Sequence, residues 1–334
     1  MKIYVHIGSD KTGTTSIQNT LTRSRNALKK CGILYPQLEK APHQEILARE
    51  LLSGNKGPGW EAFEKHLKSS NENVILSSEM LCGVGEADIL RLKDWLNSHE
   101  VKIIAYIRKS DEYLESGAMQ RLKSCKSRVD FFRLYRKLKW LPAIFNPLVY
   151  ISGFKPLFVF RWSKVFGKEN LYVRPYCKSQ WVDGNLISDF MSTLGFSSQV
   201  KNLRQMPLKK NITPNIYTIF AMSTFATTSR PSMRHQFSEV MTQKYGQVMK
   251  QPVSSRFKRY MALAISNIIL KRVSSEFNCP PPVKKKLLAG FAPGESSIAG
   301  KSQQLLLEFS IHQKKQVNRL RRKLALKDAQ QPQP

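Results

Sequence analysis

The first apolar run, Ile3 to Ile7, is short, rich in β-branched residues and followed by a glycine-containing loop, which suits a strand buried on both faces of a parallel sheet. Beyond the loop, Ile17, Leu21, Leu28 and Cys31 recur at helical spacing from about Thr14, and Gly32 with Pro36 supplies the stop. Residues Pro42 to Leu67 read as surface helices broken at Gly54 to Gly59. Two more strand-like runs follow, Asn73 to Glu79 and Val101 to Ile107. The first leads into a helix through Ile89, Leu92 and Leu96. The second leads into a helix opened by Ser110, Asp111 and Glu112 as N-cap and acidic first turn. From Arg121 to Phe160 the pattern is irregular, basic and aromatic. It then resolves into a helix over Phe158 to Phe166, a fourth strand over Leu171 to Tyr176, a helix over Asn185 to Leu194, and a mostly helical remainder to about Leu326.

Alternating strands and helices predict an α/β fold: a three-layer sandwich with a central parallel sheet of about four or five strands and a helical C-terminal half. We read residues 1–326 as a single domain. Within it, 1–120 form the core around the first loop, 121–160 a variable insert, and 161–326 the rest of the core with the helical part. The polar end, 327–334, is expected to be disordered.

With 334 residues and 41% hydrophobic side chains, the chain can bury a large core, which excludes disorder of the whole. A formal net charge of +30 draws polyanions: nucleic acid, anionic membrane, acidic glycan or a phosphorylated small molecule. The five cysteines form no C-x-x-C pair, so free thiols in a reducing compartment are expected. Met1 to Gly8 already reads as strand, which argues against a signal peptide, and Leu141 to Phe160 is too interrupted by proline and polar residues to span a bilayer. The expected location is therefore cytoplasmic, with peripheral contact at the inner membrane face as an option.

The first loop carries the candidate chemistry. Gly8-Ser9-Asp10-Lys11-Thr12-Gly13-Thr14-Thr15 has G-x-x-x-x-G spacing between a strand and a helix. Glycines let successive N–H groups turn toward phosphate oxygens, and the helix N-terminus adds its positive end. In nucleotide triphosphatases the lysine follows the second glycine; here Thr14 stands there, and Lys11 precedes Gly13. Arg108, at a strand end, is followed by Ser116 eight residues on, a spacing that by itself assigns no role, although the planar fork of an arginine suits a phosphate. The bland alternative is an ion pair from Arg108 to Asp111 or Glu112.

The K-T-G-T-T run and the Arg108–Ser116 spacing resemble the sulfotransferases that use 3′-phosphoadenosine 5′-phosphosulfate (PAPS). Arg161-Trp162, Val173-Arg174-Pro175-Tyr176, Asp183-Gly184 and Asp189-Phe190 resemble a bacterial branch of that family, so the likeness covers roughly residues 1–200. It implies that Lys11, Thr12, Gly13, Thr14 and Thr15 hold the 5′-phosphosulfate and that Arg108 and Ser116 hold the 3′-phosphate, with no metal required. Insert 121–160 would lie on the acceptor side. An R-K-G motif near the C-terminus, found in cytosolic eukaryotic members, is not recognisable.

In-line transfer of a sulfuryl group needs a base near the acceptor and a cation near the leaving oxygen. Glu79, beyond the second strand, occupies the position that carries the catalytic His or Glu in the resembling family; His43 is the second candidate. The acceptor is left open between a hydroxyl and an amine, with an anionic glycan or a lipid-linked molecule as the analogy. Lys137, Lys139 and Trp140, with Phe131, Phe132, Tyr135 and Phe145, would make an interfacial patch, or else those aromatics are core. Two other functions compete: a P-loop kinase using ATP, and a non-enzymatic basic protein that binds nucleic acid or anionic membrane. No specific nucleic-acid motif accompanies the charge.

Overall fold

The computed structural model describes residues 1–39, 42–141, 146–197, 215–225, 236–241, 254, 256–277, 301, 303 and 304. In chain order the elements begin with β1 (Lys2–His6), α1 (Thr14–Arg23), α2 (Arg25–Lys30), β2 (Ile33–Leu34), α3 (Glu45–Ser53) and α4 (Pro58–Lys68). Next come β3 (Asn73–Ser77), a 3-10 turn over Glu79–Gly83, α5 (Glu86–Trp95), β4 (Glu100–Ile107), α6 (Ser110–Lys123) and α7 (Arg128–Trp140). The chain continues through α8 (Pro147–Phe154), a 3-10 turn over Lys155–Leu157, α9 (Phe158–Phe166), β5 (Leu171–Pro175), α10 (Leu186–Thr193), α11 (Ile216–Phe225) and α12 (Arg256–Phe277).

All five strands are parallel, in the order β2-β3-β1-β4-β5. The sequence pattern had not resolved β2, which is two residues long and too short to carry a period. From β1 the chain runs out to β2 at one edge, returns to β3 between the two, and then crosses to the other side for β4 and β5. The sheet therefore has its topological switch at the C-terminal end of β1, where open α/β sheets bind ligands.

The chain divides into two compact units, Met1–Leu114 with Pro147–Asn211 and Arg259–Lys286, and Glu115–Asn146 with Ile212–Lys258 and Leu287–Pro334. In the first unit the sheet is packed on both faces. Ile3, Val5, Val74, Leu76, Ile103 and Ala105 meet α3, α4, α5 and α9, with Ile269, Leu270 and Val273 of α12 in the same cluster. Tyr4, Ile75, Ile104 and Tyr106 face Ile17 and Leu21 of α1 and Phe190 and Met191 of α10. Alternation of successive strand residues between these clusters is the period-2 pattern of a sheet covered by helices, and it makes the three layers.

In the second unit, Phe131 and Tyr135 of α7 are fully buried, and Phe131 and Phe132 pack on Phe220 of α11 with ring centroids 5.0 Å and 4.8 Å apart. Two sequence expectations are corrected here. Residues 121–160 are not irregular: α7 and α8 occupy much of the stretch, α7 capped by the Ser127 hydroxyl, which accepts from the Asp130 N–H. Phe131 and Tyr135 are core, so the surface patch drawn through them fails. Phe145, Cys279 and the expected tail lie outside the described residues. Among those residues the cysteines are free thiols, and no helix is long and apolar enough to cross a membrane.

Candidate functional site

The loop from Gly8 to Gly13 leaves the end of β1 and turns into α1. Two positions need glycine. A Cβ on Gly8 would stand 2.2 Å from Thr14 Cγ2; one on Gly13, whose φ is +78°, would stand 2.5 Å from Leu186 Cδ2 and 2.9 Å from the Tyr176 ring. Lys11 also has positive φ, at 64°, a conformation that costs a non-glycine residue on the order of 1 kcal/mol. The Thr12 hydroxyl donates to the Ser9 carbonyl and closes the loop internally. Among the described residues no side chain caps α1; the Ser16 N–H donates to the Gly13 carbonyl, which leaves the Thr14 and Thr15 N–H groups at the helix start to face an anion.

Arg108, at the end of β4, reaches this loop. Its Nη1 donates to the Lys11 carbonyl at 2.9 Å, its guanidinium lies 5.4 Å from the Tyr176 ring centroid, and its Nε pairs with Glu112 at 3.3 Å. The ion pair offered as the bland alternative therefore exists alongside the loop contact. Ser116 is half-buried on α6 and falls in the second unit.

Asp10 is the loop's unexpected member. Its charge would oppose an anionic ligand at the loop, and two groups offset it: the Tyr113 hydroxyl donates to both carboxylate oxygens at 2.8 and 2.7 Å, and Lys155 Nζ lies 2.7 Å from Oδ1. Burial would raise the Asp10 pKa, but Lys155 and Tyr113 outweigh it and hold it low. The Lys155 ammonium is raised, the pull of Cys82, Asp10 and Tyr113 exceeding the cost of burial. Spacing could not find Lys155 and Tyr113, because they reach Asp10 only through the fold. Asp10 itself was a signal that a cation had to be near.

Glu79 opens the 3-10 turn after β3, two residues past the strand's end at Ser77. Burial raises its pKa, and the Asp10 and Glu45 carboxylates add to the rise while Lys11 and His43 oppose it. The loop lysine and both candidate bases thus share one electrostatic neighbourhood. His43 precedes α3, between Glu39 and Glu45 at 3.7 and 3.8 Å. Its neighbour Gln44 fastens that segment to the end of β3: the Gln44 N–H donates to the Ser77 carbonyl at 3.2 Å, and the Ser77 N–H donates to Gln44 Oε1 at 2.9 Å.

Ser77 Oγ is engaged, 2.8 Å from His6 Nδ1 and accepting from Gln18 Nε2 at 3.2 Å. His6 is fully buried on β1, and burial pushes its pKa down from 6.5 to about 3, so it is a neutral structural hydrogen-bonder at physiological pH. By contrast, the hydroxyls of Ser78 and Ser110, at the ends of the two strands that flank β1, are buried and have no partner among the described residues. Orphaned hydroxyls on both sides of an uncapped loop fit a bound polyanion. Arg174 and Asp189, part of the wider likeness, join Tyr106 in a structural cluster instead. Asp189 is fully buried, accepts from the Tyr106 hydroxyl at 2.8 Å and is paired with the Arg174 guanidinium.

No protein-family model matches the chain. An uncharacterized protein of Archaeoglobus fulgidus is 29% identical over 128 residues, covering 36% of this chain and 30% of that protein. The match spans less than a third of the relative's length, and it assigns neither a family nor an activity.

Proposed function

We propose that the chain is a sulfotransferase that takes the sulfuryl group of PAPS to a hydroxyl or amine. The observation that carries the reading is the meeting, at the switch point of the sheet, of an uncapped phosphate loop bearing Lys11 with Glu79, a carboxylate of raised proton affinity. Motif order supports it too: Lys11 stands before Gly13, not after it as in kinases.

In this reading the acceptor oxygen or nitrogen attacks sulfur in line, and the bond from sulfur to the 5′-phosphate oxygen breaks. Glu79 takes the acceptor's proton, a role that its raised proton affinity favours. Negative charge then gathers on the leaving 5′-phosphate, where Lys11 and the first-turn amides of α1 meet it. Arg108 takes the 3′-phosphate with its planar fork while its backbone contact keeps the loop in place. Asp10, neutralised by Lys155 and Tyr113, keeps the loop's net field favourable to the donor.

Calorimetric titration with adenosine 3′,5′-bisphosphate, and separately with ATP and magnesium, tests the reading. Tight bisphosphate binding is expected, weakened about tenfold or more in Arg108→Ala. Lys11→Ala should keep most of that affinity yet lose about 100-fold in turnover, followed as bisphosphate released from PAPS with a panel of acceptors. Magnesium-dependent ATP binding without bisphosphate binding would establish a kinase instead.

A further inference from the structure

Helix α8 is apolar on both sides. Inward it buries Leu148 and Val149; outward, Tyr150, Ile151, Phe154 and the following Leu157 are between 37% and 48% exposed, at the i, i+1, i+4, i+7 spacing of one helical face. The Tyr150 and Phe154 rings stack along that face with centroids 6.5 Å apart. Gly153 seats α8 against α12, for a Cβ there would come within 2.6 Å of Ile265 Cγ2. On α12, Tyr260 and Ile268 are 57% and 77% exposed. Large aliphatic and aromatic groups so placed on two packed helices call for an occupant.

Charge selects it. The chain carries 24 acidic residues, yet none lies between Asp130 and Glu169 or between Glu239 and Glu276, the two stretches that contain α8 and α12. Both stretches are otherwise lysine- and arginine-bearing, with Lys168 and Lys271 exposed. A protein partner would be met by mixed charge, and nucleic acid gains little from isoleucine and leucine. Aliphatic side chains, tyrosine at the rim, basic residues and no carboxylate together match a bilayer with anionic headgroups.

We propose that the outward face of α8, with Tyr260 and Ile268 of α12, is a docking surface for an anionic lipid bilayer. Lys155, next in the chain after Phe154, reaches Asp10 in the phosphate loop, so one segment carries both the docking face and a side chain of the site. Taken with the transferase reading, on which this clause alone rests, that connection names a lipid-linked acceptor as the substrate class.

Co-sedimentation of the full chain with vesicles of phosphatidylcholine alone, or with 30 mol% phosphatidylglycerol (roughly an anionic leaflet's charge), needs no nucleotide and so stands apart from the bisphosphate titration. Binding to the anionic vesicles is expected, reduced about tenfold or more in the triple variant Tyr150→Ser, Ile151→Ser, Phe154→Ser. Its thermal unfolding should match the wild type, because all three side chains are exposed. Undiminished binding of the variant would overturn the proposal in favour of a purely electrostatic contact elsewhere. Equal binding to phosphatidylcholine alone would overturn its charge argument. Absence of vesicle binding, with self-association that the variant abolishes, would assign the face to a second copy of the chain.

Discussion

Glu79 sits where ionisation is opposed by burial and by the neighbouring Asp10 and Glu45 carboxylates. Its folded-state pKa lies above the unfolded value, near 4.3 for a free glutamate, so the two states are matched below that value. As pH rises through the folded pKa, the unfolded chain releases its proton more readily and the native state loses stability. Glu79→Gln stays neutral throughout. The variant should therefore melt at higher temperature than the wild type at pH 7–8, with the gap closing toward about pH 4, where both carry a neutral side chain. The same change removes the proposed proton acceptor, so turnover should fall about 100-fold or more while bisphosphate affinity stays within a few-fold. A stability gain at the expense of function is the behaviour of a strained active-site group; a variant less stable at every pH would mark Glu79 as a structural carboxylate.

Among the elements, the β4–β5–α10 corner depends on one buried charge. Asp189 on α10 has no exposure, and its oxygens meet Tyr106 of β4, Arg174 of β5 and the Val182 N–H. Removing the carboxylate leaves the partly buried guanidinium and the buried tyrosine hydroxyl without it. Asp189→Ala should cost about 3–5 kcal/mol in urea unfolding, far more than a surface aspartate; a loss below about 1 kcal/mol would deny that corner its role. Elements of this kind show what was legible beforehand. The strand, loop and helix around Gly8 to Thr15, and Arg108 at a strand end, were visible because local spacing alone places them. Strand β2 escaped because two residues have no period. Helices α7 and α8 escaped because α8 is apolar on both faces and α7 interleaves core aromatics with basic residues, so neither shows one clean stripe. Asp10 with Lys155 and Tyr113 escaped for another reason: their encounter is made by tertiary packing, which no spacing encodes.

At the scale of the whole molecule, the likeness that suggests a function ends near residue 200, yet the core does not. Ile269, Leu270 and Val273, from α12, lie in the same cluster as Val159, Trp162 and the β1, β3 and β4 side chains of the first unit. Each such side chain is worth about 1.5–3 kcal/mol when buried, so the three together contribute roughly 5–9 kcal/mol. That is comparable to the entire stability of an ordinary domain, about 5–15 kcal/mol. The first unit is also discontinuous, returning at Pro147 and again at Arg259. A chain cut after Val200 would keep the Gly8–Thr15 loop, Glu79 and Arg108 but lose the three α12 side chains from that cluster. It should show no cooperative urea transition and no bisphosphate binding, whereas both are expected of the full chain. If the truncated chain unfolded cooperatively with native-like affinity, the contribution of α12 to the core would be dispensable and the cofactor unit would end with α10. The expected failure would instead mean that α12 serves the core first, through Ile269, Leu270 and Val273, leaving its outward residues Tyr260 and Ile268 free to take on a surface role.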